Sequence, residues 1–184
     1  MRLAPLVIVL ALLATPAFAH KGVLHDGCPT GQSFNSGLVT VSGAFVRATP
    51  PGARAAGAYL TLTNTSNEAD TLTAVHSEAA TDVSIHSMSV EDGVMKMAPV
   101  EGGLSVIPGE VLKLEPMGFH LMLTGMEQPF VEGQCVEMTL EFQKAGPLKV
   151  QFNIGGMAQD VPPDGTGAAP MGHDMHDMSS MEGM

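Results

Sequence analysis

The sequence contains no Trp, one Tyr and seven Phe in 184 residues, so any core must be filled largely by aliphatic side chains and Met. Positive charge is scarce too. Eight Lys and Arg stand against 19 Asp and Glu, for a formal net charge of -11. So few basic side chains leave no electrostatic footprint for a phosphate backbone, which argues against nucleic acid as a partner. No segment has the roughly 20 consecutive apolar residues a bilayer span needs, so the mature protein is expected to have no membrane span. No run sustains the 3.6-residue period of an amphipathic helix. Also missing are a catalytic triad pattern, a glycine-rich phosphate loop after a strand, and a carboxylate pair at a spacing tied to chemistry. The chain therefore reads as a non-catalytic binder rather than an enzyme.

What is present is punctuation and short β-prone runs. The 21 Gly and 13 Pro suit many strands and turns. Strands are expected over 38–47, 57–64, 71–76, 82–88, 94–98, 104–107, 111–115, 119–124, 135–142 and 148–153. Turn signals such as Thr49-Pro50-Pro51-Gly52, Glu91-Asp92-Gly93 and Ala145-Gly146-Pro147 separate them. An all-β, two-sheet antiparallel sandwich follows.

The ends carry different information. Arg2, the apolar run Leu6 to Leu13 and the small-residue pattern Ala17-Phe18-Ala19 predict a cleavable signal peptide over 1–19, and hence an exported, soluble protein. An extension over 20–37 precedes the domain of 38–153, a Gly, Pro, Ala and Asp-rich linker follows over 154–170, and a tail occupies 171–184. Cleavage after Ala19 would expose His20 as a new N-terminus, where amine and imidazole can chelate a divalent ion, with His25 close behind. The only two Cys, Cys28 and Cys135, lie 107 positions apart in a chain bound for an oxidising compartment. A disulfide is the default; thiolate metal ligation is the alternative.

The methionines point to chemistry. In the tail, seven of the fourteen residues from Met171 to Met184 are Met or His, and no core is expected there for the thioethers to fill. A thioether is a soft, neutral ligand that favours Cu(I) and does not compete with protons, whereas imidazole serves both copper states. His173 and His176, flanked by Asp174 and Asp177, add the harder donors that suit Cu(II), beside Met175 and Met178. Low-complexity sequence without a metal is the alternative for this tail.

Within the domain, strand alternation sends Val83 and Ile85 to the core and leaves Ser84, His86 and Met88 on the other face. By the same parity Phe119, Leu121 and Leu123 turn inward while His120 and Met122 face outward. A two- or four-residue loop at Glu91-Asp92-Gly93 puts Met95 and Met97 on the face of His86 and Met88; a three-residue loop puts them on the opposite one. With the two- or four-residue loop, His86, Met97, His120 and Met122 outline a Cu(I) site of two imidazoles and two thioethers. Met88 and Met95 stand nearby as secondary ligands. His76 and Met117 are left as structural or solvent-facing residues.

These residues resemble the periplasmic copper-chaperone family PCu(A)C, whose signature is a His, ten residues, a Met, about twenty-one residues, then His-x-Met. Here ten residues separate His86 from Met97, and twenty-two separate Met97 from His120-Leu121-Met122. The similarity extends to Ala44–Gly52, to Gly57–Asn64 and to Asp92–Met97, with Phe45 where the family often has Trp. The resemblance implies an antiparallel Greek-key, cupredoxin-like β-sandwich without the blue-copper centre. It also implies residence in the periplasm and copper delivery to a cuproenzyme, such as cytochrome c oxidase at its subunit II, or to another copper chaperone. Storage without a dedicated acceptor needs the same ligands and is the alternative. A blue-copper electron carrier is disfavoured, because no His follows Cys135 until His173.

Overall fold

The structure is a computed structural model that describes residues 24–29 and 31–163. The expected signal peptide, His20, the later part of the linker, and the tail with His173, Met175, His176 and Met178 lie outside the described residues. Among the described residues every regular element is a strand. In chain order they are β1 (Leu24–Asp26), β2 (Ser33–Asn35), β3 (Val39–Arg47), β4 (Ala55–Asn64), β5 (Asp70–His76) and β6 (Asp82–Glu91). There follow β7 (Val94–Pro99), β8 (Leu104–Val106), β9 (Val111–Leu114), β10 (His120–Thr124), β11 (Gln134–Phe142) and β12 (Gly146–Gly155).

Period-two alternation determines which side chains turn inward. On β11, Val136, Met138, Leu140 and Phe142 are buried while Glu137, Thr139 and Glu141 face outward. Hydrogen bonding links the strands in the order β7-β6-β10-β4-β3-β12-β11-β5-β8, with β1 on β11, β2 on β3 and β9 on β4. The sheet folds over on itself, because a single cluster joins Leu60 and Leu62 of β4, Leu121 and Leu123 of β10, Leu72 of β5 and Phe152 of β12. Each such fully buried aliphatic or aromatic side chain contributes on the order of 1.5–3 kcal/mol. The fold is the expected all-β, cupredoxin-like one. Among the described strand pairings, β3 with β12 is parallel, so the sheet is mixed rather than wholly antiparallel.

Two boundaries move. The extension before residue 38 contains β1 and β2, both paired to the body of the domain, and Cys28 is disulfide-bonded to Cys135. Neither cysteine is therefore a thiolate ligand. At the other end, β12 runs to Gly155, two residues past the expected edge of the domain. The next residues are anchored rather than loose: the Arg47 guanidinium donates to the Gln159 carbonyl at 2.8 Å and pairs with the Asp160 carboxylate. The backbone between Gly155 and Asp160 thus finds partners on β3, which a composition rich in Gly, Pro and Asp does not reveal.

Candidate metal centre

The β6–β7 hairpin sets the register of the site. Asp92 and Gly93 have φ of 53° and 76°, and Glu91 pairs with Val94 across them, so the loop has two residues and the backbone twist of a type I′ turn. Pairing then runs Val90 with Met95, Met88 with Met97 and His86 with Pro99. Met97 shares a face with His86 and Met88, as the shorter-loop alternative requires. On the other side β10 pairs with β6, placing His120 opposite His86 and Met122 opposite Ser84.

His86 is the hub of this lattice. Its ring faces that of His120 with centroids 5.8 Å apart and planes inclined by 52°. Met97 and Met122 are its two diagonal neighbours, at the roughly 7–8 Å separation that long side chains bridge. One thioether lies towards the hairpin turn, the other towards Ser84. Met88 is adjacent to His86 on the same strand and face. Met95 is opposite Val90, further along the hairpin, and lies outside this immediate group.

The two nitrogens of each ring have different surroundings. Ser84 Oγ lies 3.1 Å from His86 Nε2, while His86 Nδ1 is buried without a hydrogen-bond partner. If Nε2–H donates to the serine oxygen, the lone pair of Nδ1 is left for a ligand. His120 Nδ1 lies 3.2 Å from the Gly118 carbonyl; donation to that oxygen leaves Nε2 unprotonated. Such orienting bonds are how metal-binding imidazoles are commonly held. Burial lowers the pKa of His86, and the neighbouring His120 lowers it further, against a smaller upward pull from Asp82. Both effects favour the neutral ring that a metal needs.

One expectation is corrected here. His120 does not face outward into solvent: it is 7% exposed. It lines a cleft with Arg47, Tyr59, Met88, Glu115, Pro116, Met117 and Asp160, and these residues shield it. Met97, by contrast, is 48% exposed and Met95 42%, so the group is buried on its His120 side and open along β7. The wall beside Met122 depends on Gly57, its partner on β4, because a Cβ there would lie 2.7 Å from the Tyr59 hydroxyl. Tyr59 stacks on Phe45 with ring centroids 5.0 Å apart. Burial raises its phenol pKa, Arg47 opposes this and Asp160 adds to it, so the group stays a neutral phenol at physiological pH.

His25 lies elsewhere. It pairs with Cys135 on β1 and lines a separate cavity with His76, Glu78 and Glu137. No group of three or more His, Cys, Asp or Glu side chains gathered as for a metal ion occurs among the described residues. A site made of two imidazoles and thioethers falls outside that pattern. The roles of Ser84, Gly57 and Tyr59 were not foreseen; the i, i+2 spacing of Ser84 and His86 on one strand face was the available signal for the serine.

With this geometry in view, the LpqE-like family model matches residues 39–154. The chain belongs to the LpqE-like family. Solved structures bear out the resemblance to PCu(A)C proteins. The apo PCuAC domain from PmoF1 is 26% identical with a TM-score of 0.58, covering 68% of this chain and 99% of that one. The solution structure of CuI-DR1885 from Deinococcus radiodurans is 26% identical with a TM-score of 0.51, covering 72% and 83%. The copper-bound PCuAC domain from PmoF2, at 22% identity and a TM-score of 0.59, covers 68% and 98% and shares the fold. Among curated proteins none matches the chain. No helix among the described residues is long and apolar enough to cross a membrane.

Proposed function

We propose that this protein is an exported copper chaperone that binds one Cu(I) through His86, Met97, His120 and Met122 and passes it to a cuproenzyme. The observation that carries this is His86: a buried ring nitrogen without a partner, facing a second oriented imidazole, with thioethers on both diagonals. Imidazole with thioether is a soft, uncharged donor set that suits Cu(I) over Cu(II) and over hard divalent ions. The likeness of this chain to CuI-DR1885 supports copper as the cargo.

In this account residues 1–19 direct export to the periplasm, the extension over 20–37 adds β1 and β2 to the domain, the residues after Asp160 connect it onward, and 171–184 form an accessory metal-binding tail. There His173 and His176 with Asp174 and Asp177 take Cu(II), beside Met175 and Met178. The acceptor is a copper centre such as that of cytochrome c oxidase subunit II, or another copper chaperone. The test of the domain site replaces Met97 and Met122 together by Leu, which keeps size and apolar character while removing both sulfurs. Folding is expected to survive, and Cu(I) affinity in a chelator competition titration to fall by about a hundredfold or more, as losing two ligands implies. Unchanged affinity would remove these residues from the site.

A further inference from the structure

Residues Glu115 to Gly118 form a turn whose sequence conflicts with its geometry. The Gly118 amide donates to the Glu115 carbonyl at 3.0 Å, Pro116 occupies the second position, and Met117 the third with φ of 72°. A turn of this kind needs positive φ at its third position and ordinarily places Gly there. Here Gly comes one residue later, and a long side chain takes the left-handed conformation. Packing does not compensate, since Met117 is 65% exposed. A strained, solvent-facing thioether is an outlier of the sort that function accounts for.

Its surroundings indicate the function. The Gly118 carbonyl accepts from the Met88 amide at 3.2 Å and lies 3.2 Å from His120 Nδ1, so the turn is pinned to β6 and to β10. Met117, Met88 and His120 line one cleft. Met88 is the strand neighbour of His86 and the cross-strand partner of Met97. On the His120 side of the proposed chelate, two thioethers therefore share one cleft with that imidazole, Met117 exposed to solvent and Met88 beside His86 and Met97.

Resting on the copper-binding function proposed above, we infer that Met117 and Met88 form a thioether relay through which Cu(I) enters and leaves the His86/His120 centre. Each step is a ligand exchange: a bond from Cu(I) to one sulfur forms as a bond to the outgoing ligand breaks. Copper remains Cu(I), and no proton moves because thioethers carry none. The same two residues serve loading and release, so a relay changes rates in both directions and leaves the equilibrium nearly unchanged.

Two single variants of the full mature chain test this. Met117→Leu keeps bulk and backbone strain but removes sulfur; Met117→Gly removes sulfur and relieves the strain. Stopped-flow transfer of Cu(I) to bathocuproine disulfonate is expected to slow by about tenfold in both, with Cu(I) affinity within about twofold of wild type. Met117→Gly is also expected to melt at a higher temperature than wild type, which separates slower exchange from a loosened fold. Wild-type transfer rates in both variants would overturn the relay, as would loss of affinity in parallel with rate, or a lower melting temperature for Met117→Gly. If the Met97/Met122 double variant loses Cu(I) while the Met117 variants exchange normally, the relay alone falls. If the wild-type protein takes up no Cu(I), the chaperone function falls with it.

Discussion

Asp70 and His86 are both held below their ordinary pKa by the fold, by different balances of forces. Burial of Asp70 works upward, but amide donors from Lys144, Ala145 and Thr71 and the nearby Lys144 charge outweigh it. A carboxylate with a lowered folded-state pKa contributes stability above its unfolded value of about 4, and that contribution is lost as pH falls through the lower folded value. Asp70→Asn puts an amide where three backbone N–H groups converge, so a loss of about 1–3 kcal/mol is expected in urea unfolding at pH 7. The gap to wild type should narrow below pH 4; a constant gap would contradict the assignment. His86 follows the same sign, since its neutral ring is favoured in the fold. The apo protein's stability from this residue is present above about pH 6.5 and erodes as pH falls from there. The Asp70 shift was not legible in the sequence, because two of its three amide donors, Lys144 and Ala145, lie 74 and 75 residues away; the His86–His120 pairing was legible, but the burial that lowers the His86 pKa was not.

The β6–β7 hairpin is the element on which the metal site depends most. Its two-residue turn fixes Met97 beside Met88; a slip by one residue would send Met95 and Met97 to the other face. Gly93→Val forces a β-branched side chain into positive φ, expected to cost about 1–2 kcal/mol. Cu(I) affinity should fall with it because the hairpin carries Met97. Retained affinity despite a lowered melting temperature would show that Met97 does not need this register. The main strands were legible in the sequence because Val, Leu and Ile alternate with polar residues and Gly or Pro bounds each run, as on β11. The short strands β1 and β2 were not, since three residues show no alternation and owe their order to pairing with β11 and β3. His120 was placed on the correct strand and face, but its burial arises from the Glu115–Gly118 turn and Tyr59 closing over it. No local pattern encodes that. The turn's misplaced glycine was visible in the sequence, yet only the backbone angle gives it meaning.

At the scale of the whole molecule, the candidate site occupies one end of the sheet, on β7, β6 and β10, while the disulfide lies on β11, well along the strand order. That separation lets the two be tested independently. Replacing Cys28 and Cys135 by Ser opens a loop of 107 residues and is expected to cost about 4–5 kcal/mol by chain entropy. Cu(I) affinity should be retained wherever the variant is folded; its loss would show that the N-terminal strands support the site. Whether one Cu(I) is held by His86, His120, Met97 and Met122 is read from copper K-edge X-ray absorption of the Cu(I)-loaded protein, with and without residues 171–184. The expected shell mixes imidazole nitrogen and thioether sulfur and persists when the tail is removed. A shell of nitrogen and oxygen alone, or sulfur that disappears with the tail, would contradict this assignment.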